Sequence, residues 1–439
     1  MLSFTLPFSI GEVCAAPIHP LYRPHGTNGE ISLFDGELDL KTPDGKWSSA
    51  QVQVELELLP ETRLVARIFG PARLPAFFNE PDDLELEAPD GTNLAPPGAS
   101  NPRSESESHQ FRLRQVRLGK LQAAESFLFH VCGALEVWAD QVPVDSGSQK
   151  QLKFDLPGWE LVMVPGEPTP DSRDFAAVIL ATPVSAAASE EDLDRLHRWL
   201  FILLSFVADR EVGIGPVCGL DKAGAVVWAE WGTPRMKPGE GGIKWCPPML
   251  AAVAIPQLAK GFSVLAEDPD LEVIVDRAIG YALAANGEEV IEVRIPNVCS
   301  GLELLAWAIL QREDWLVDAD VRRRMKTAAI IRLFLKWAEI PTAVPPTLPD
   351  LTKRLAAVGK AGLEGPEVLF ELRNAMVHPP KRLDNIEWPE GEELVDAWLL
   401  GSWYLELGLL RVLGYEGEYW SRIRLGRPGA DVEQVPWTI

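Results

Sequence analysis

Glu371-Leu372-Arg373-Asn374-Ala375-Met376-Val377-His378-Pro379-Pro380 is the stretch on which the reading of this chain turns. Leu372, Ala375, Met376 and Val377 recur at helical spacing and predict a buried face. Asn374 and His378 are four apart, so they share a face. Pro379 biases His378 away from the helical region and ends the helix there. His378 then stands at a helix C-terminus, where the dipole favours positive charge. Arg373 precedes it by five residues, about 140° round an ideal helix, which its long side chain can bridge.

A fixed guanidinium beside a histidine that can hold or release a proton is the minimum equipment for phosphodiester chemistry. The arginine neutralises the phosphate and the histidine moves a proton. The plainer alternative is that Arg373 pairs with a carboxylate and His378 only caps a helix. Short motifs match by chance often enough that this alternative stays open.

The flanking sequence is helical as well. Apolar-periodic runs are expected at Met249–Leu265, Leu271–Ala285, Glu288–Gln311, Val321–Glu339, Leu348–Val358, Pro366–Val377 and Glu392–Leu413. Pro256 is expected to kink or split the first run and Pro296 to divide the third. After the motif come Leu394-Val395-Asp396-Ala397-Trp398-Leu399-Leu400 and Tyr404-Leu405-Glu406, then Leu409-Leu410-Arg411, Gly414-Tyr415, Tyr419 and Arg422. With Arg373, Asn374 and His378 this ending resembles the HEPN superfamily, helical domains that carry Arg-x4–6-His near the end of a long helix. The resemblance spans about residues 250–425 and is weak before them. It is to bacterial-type proteins with a β-rich N-terminal half.

That resemblance implies a metal-independent endoribonuclease that needs no cofactor, with roles in toxin or antiviral defence systems. The 2′-hydroxyl of RNA would attack the adjacent phosphate and leave a 2′,3′-cyclic phosphate. His378 would be the general acid or base, Arg373 would stabilise the pentacoordinate phosphate, and Asn374 would position one of them. Lys381 and Arg382 follow directly and would add positive charge for RNA. The family usually brings two Arg–His pairs together in a homodimer. It also places an acidic residue in an early helix of many members; Glu303, alone in an apolar helix, is a candidate. The alternative function is a non-catalytic HEPN dimerisation scaffold, with a protein or small ligand bound by the N-terminal half.

Residues 1–235 read as a β-rich module and 248–425 as the helical domain, an α+β chain joined through the Pro/Gly-rich Thr233–Gly242. Val52, Val54, Leu56 and Leu58 alternate with polar residues and predict a strand, paired through a turn with Leu64–Phe69. Further strands are expected at Phe111–Leu118, with a bulge where the alternation slips, and at Phe127–Cys132, Leu152–Leu156, Leu161–Val164 and Phe175–Leu180. The acidic, Pro/Ser/Gly-rich Glu80–Ser108 reads as a long surface loop. Ser189 and Asp192 predict a capped helix over about 189–208, with His197 on it as a surface or packing residue. Gly219–Trp231 reads as a hairpin turning at Asp221-Lys222-Ala223-Gly224.

Composition narrows the function. The 439 residues are 46% apolar, enough for a sizeable core. The net charge of −23 repels nucleic acid on average, so any contact with RNA must be local. The cysteines at 14, 132, 218, 246 and 299 have no Cys-x-x-Cys spacing, which predicts reduced thiols in a cytoplasmic protein and no zinc frame. No apolar run approaches 18 residues without a charge, and the N-terminus lacks a basic n-region, so neither a membrane partner nor a signal peptide is expected.

Overall fold

The computed structural model describes residues 17–22, 30–41, 47–58, 62–69, 85–87, 92, 94, 108–113, 115–133, 135–145, 147–166, 175–185, 187–237, 245–287, 290–315, 324–357, 362–378, 389, 391–424 and 432–438. The first half is rich in strands: β1 (Ile31–Lys41), β2 (Trp47–Glu57), β3 (Arg63–Phe69), β4 (Glu85–Glu87), β5 (Ser108–Leu113), β6 (Gln115–Gly119) and β7 (Ser126–Cys132). It continues with β8 (Asp140–Val144), β9 (Gly147–Leu156), β10 (Trp159–Pro165) and β11 (Phe175–Pro183), the helix α1 (Glu190–Ala208), then β12 (Gly213–Leu220) and β13 (Val226–Gly232). The second half is helical: α2 (Pro248–Glu267), α3 (Pro269–Ala285), α4 (Ile291–Arg312), α5 (Thr327–Trp337), α6 (Pro349–Ala357), α7 (Gly365–Val377) and α8 (Glu392–Val412). A short ribbon, β14 (Glu418–Trp420) with β15 (Val432–Gln434), closes the described chain.

The strands form two antiparallel sheets, ordered β4-β1-β2-β3-β5 and β6-β13-β12-β7-β11-β10-β9-β8. Alternation in β2 does what the sequence predicts: Val52, Val54 and Leu56, with Leu58 just beyond, are fully buried, and β2 pairs with β3. The slip in phase after Leu113 has a different cause from a bulge. Up to Leu113 the chain pairs with β3 in the first sheet; from Gln115 it pairs with β13 in the second. The chain changes sheets there, so the inward side changes too.

β1 carries no clean alternation, because Asp35-Gly36 interrupts its apolar residues. The Phe34 ring folds over Gly36, where a Cβ would lie 2.7 Å from it, so a side chain there would have to push the ring aside. The proposed loop Glu80–Ser108 lies mostly outside the described residues; within it, β4 pairs with β1 at the sheet edge.

The second sheet is covered on both faces. Val116, Leu118, Cys132, Cys218, Ala229 and Trp231 pack with β1–β3. Phe127, Phe129, Val131, Val217 and Trp228 point the other way and join α1 and the helical half. A strand buried on both sides needs a near-continuous apolar run, as Phe127-Leu128-Phe129 shows. Ser189 caps α1 in a complete capping box with Asp192, worth about 1 kcal/mol.

The helical half shares its core with the second sheet: one apolar cluster runs from Phe127 and Trp159 through Trp199 and Trp245 to Leu302, Leu372 and Leu409. Met376, expected on a buried face, and Leu333 pack against it half-buried. Pro256 and Pro296 neither split nor end their helices. Each removes one donor, and the carbonyls left over, four residues back, belong to half-buried Ala252 and exposed Glu292. α2 and α4 are long and apolar enough, by length and composition, to cross a membrane. In this structure Ile295, Val298, Leu302, Leu305 and Ile309 of α4 are buried in the shared core.

Gly408 of α8 shows how closely these helices approach, since a Cβ there would meet Phe334 at 2.8 Å and Leu305 at 3.4 Å. Leu305 is wholly buried at this contact. Leu305→Ala is expected to destabilise the protein by about 2–5 kcal/mol in urea unfolding. A loss under about 0.5 kcal/mol is the range of surface changes and would move Leu305 out of the core.

Candidate functional site

The helix that bears the motif, α7, is fixed at its N-terminus. Glu364 and Glu367 form a reciprocal capping box, and Arg332 of α5 makes ion pairs with both carboxylates. Thr342 donates to Glu364 at 2.8 Å. Gly365 lies against the Tyr404 ring of α8, where a Cβ would come within 2.2 Å of the hydroxyl. Leu369 packs over Gly401, and Leu372 is buried one turn further on. One end of α7 is thus anchored while its last turn reaches the surface.

That last turn holds the candidate residues. Arg373 is half-buried; its Nη1 donates to Asn374 Oδ1 at 3.0 Å, and its Nε is buried with no partner among the described residues. No ion pair of Arg373 occurs among the described residues. Asn374 and His378 are exposed. His378 is the C-cap residue, with extended backbone (φ −104°, ψ 127°), as the following proline demands. Its N–H donates to the Asn374 carbonyl at 3.0 Å. The expected apolar face is narrower than its spacing implies. Leu372 is buried and Met376 partly so, but Ala375 and Val377 are exposed; Val377 lies about 140° round the helix from Leu372.

Glu303 of α4 comes to the same neighbourhood. Burial holds the Cys299 thiol well above its ordinary range; the Arg373 guanidinium pulls it down and the Glu303 carboxylate pushes it up. Both charges therefore act on one buried sulfur at the α4–α7 contact. Glu303 also borders a groove of about 480 Å³ with Ile274, Leu304 and Trp307. Lys381 and Arg382 lie outside the described residues. Among the described residues, no group of His, Cys, Asp and Glu is arranged to hold a metal ion.

A second concavity, of about 580 Å³, lies between α1 and the β12–β13 hairpin. Asp194, His197, Arg198 and Phe201 of α1 line one wall and Glu230 the other. Arg117 joins Asp194 at 2.7 Å and also pairs with Glu230, while Arg198 holds Asp276 of α3 at 2.5 Å. His197 Nδ1 is 4.0 Å from Glu230, and burial lowers its pKa despite the nearby carboxylates. The i, i+3, i+4, i+7 spacing of those α1 residues was the available sequence signal, since it puts all four on one helix face, beside the apolar stripe.

Two comparisons with known proteins found likenesses. A sequence-family model described as the YopA C-terminal domain matches residues 268–433, from α3 to β15, and so includes the α7 motif. Over 249 residues the chain is 26% identical to the SPbeta prophage-derived uncharacterized protein YopA of Bacillus subtilis (strain 168), covering 56% of this chain and 54% of that protein. The chain thus spans about half the length of the curated relative it matches. No solved structure matches the chain.

Proposed function

We propose that this protein is a HEPN-like, metal-independent endoribonuclease whose site is completed in a homodimer, with the N-terminal half as its recognition module. The observation that carries the reading is the last turn of α7. In a chain of net charge −23, Arg373 is half-buried beside Asn374 without an ion pair among the described residues, five residues before an exposed His378. A guanidinium held this way is available to a phosphate, which it grips with a forked pair of donors. His378 supplies the imidazole, whose ring nitrogens can donate or accept a proton. RNA supplies the nucleophile, its own 2′-hydroxyl.

Ala375 and Val377 favour the dimer, because they expose apolar surface beside the motif. The cleft under His197 gives the N-terminal half a place for a small ligand. The test uses the full chain with mixed RNA in EDTA. Cleavage leaving 2′,3′-cyclic phosphate ends, with matched DNA intact, is expected. Light scattering across a concentration series should show a dimer. A dimer inert on every RNA offered supports the second reading, a HEPN scaffold, which the same exposed Ala375 and Val377 also suit.

A further inference from the structure

Four segments far apart in sequence meet at one buried cluster of charge. Asp209 caps the C-terminus of α1 in left-handed backbone (φ 56°). Asn286 caps α3, Glu406 lies on α8, and Arg422 follows β14. Arg422 is 1% exposed, Glu406 2% and Asp209 4%, so water does not dilute their interaction. Arg422 Nε donates to Glu406 at 2.6 Å, and its Nη2 pairs with both Glu406 and Asp209. Asn286 donates to the other Asp209 oxygen at 2.6 Å. The guanidinium also lies over Trp398, 5.8 Å from its ring centroid, and Arg294 of α4 lies 5.2 Å from the same ring.

Two carboxylates on one guanidinium leave a net negative charge in the core. A buried charge without full compensation is strongly disfavoured, and the usual relief is that one group takes up a proton. Asp209 accepts from both Arg422 and the Asn286 amide, whereas the hydrogen bonds to Glu406 come from Arg422. Hydrogen-bond donors hold a carboxylate in its charged form, so Asp209 keeps the charge and Glu406 gives way. The surroundings suit a hydroxyl that must donate. Ser402 lies one turn before Glu406 on the same helix face, and its buried Oγ has no hydrogen-bond partner among the described residues.

We infer that Asp209, Glu406 and Arg422 form a proton-binding site, in which Glu406 takes up one proton on folding and thereby neutralises the contact between the sheet half and the helical half. Burial, with Asp209 beside it, raises the Glu406 pKa to about 7 even against Arg422. A carboxyl raised in the folded state binds a proton that the unfolded chain has released. Its contribution is therefore full below the unfolded pKa and is lost as pH rises to the folded one.

Carbon-13 labelling of glutamate side-chain carboxyls in the full chain tests this by NMR. One glutamate carboxyl is expected to titrate near neutrality and to vanish from the spectrum of Glu406→Gln. Asp209→Asn should move its midpoint to lower pH, because Glu406 then has the guanidinium to itself. In urea unfolding, the folding constant of the wild type relative to Glu406→Gln should fall by up to about tenfold per pH unit between pH 5 and 7, then level. No glutamate titrating near neutrality in the wild type would overturn the site whatever the variants do. So would a wild-type/Glu406→Gln ratio that stays constant with pH, or an Asp209→Asn midpoint that stays or rises.

Discussion

Replacing Trp245 with alanine is expected to lower the unfolding free energy by about 3–5 kcal/mol, the range for large aromatic residues removed from a core. Trp245 is fully buried where the two halves of the chain meet. Its Nε1 donates to the Phe206 carbonyl at the end of α1 at 2.8 Å, and its own carbonyl accepts from Trp420 at 2.6 Å. Its ring lies 5.1 Å from Phe206 and 5.8 Å from Tyr415. The substitution therefore opens a cavity and removes the indole donor from the Phe206 carbonyl, which keeps only the Asp209 N–H at 3.3 Å. Trp138, with 63% of its surface exposed, is the control, and Trp138→Ala should change stability by less than about 0.5 kcal/mol. Equal losses in urea unfolding would mean that Trp245 does not hold the halves together.

That joint was not legible in the sequence. Trp245 sits just after a Pro/Gly-rich stretch, where composition suggests a linker, and nothing local shows that its ring reaches Phe206. The strands β2, β3 and β7, the hairpin of β12 and β13, and the capping box of α1 were legible, because each depends on neighbours within a few residues. The change of sheet after Leu113 showed only as a slip of phase, since which sheet a strand joins depends on distant partners. The α7 motif and the proline behind it were visible for the same local reason. The cluster around Arg422 was not, because its carboxylates come from residues 209 and 406.

The second large effect concerns the chemistry. His378→Ala is expected to reduce RNA cleavage by about 10²–10⁴-fold, the usual worth of a positioned acid or base, and Arg373→Ala by about 10²–10³-fold, the usual worth of a donor aimed at developing charge. Both lie on the last turn of α7, so the fold should survive either change. The double variant should lose little more than the worse single one, because the two side chains serve one step. Arg373→Lys should also fail, since an ammonium lacks the planar fork that holds two phosphate oxygens. Additive losses would mean that the two side chains act separately.

The most direct test of the ribonuclease reading compares wild type and His378→Ala, purified in parallel as full chains and incubated with the same RNA in EDTA. Cleavage by the wild type to 2′,3′-cyclic phosphate ends is expected, with almost none by the variant. Equal cleavage by both would assign the activity to another nuclease and remove His378 from the chemistry.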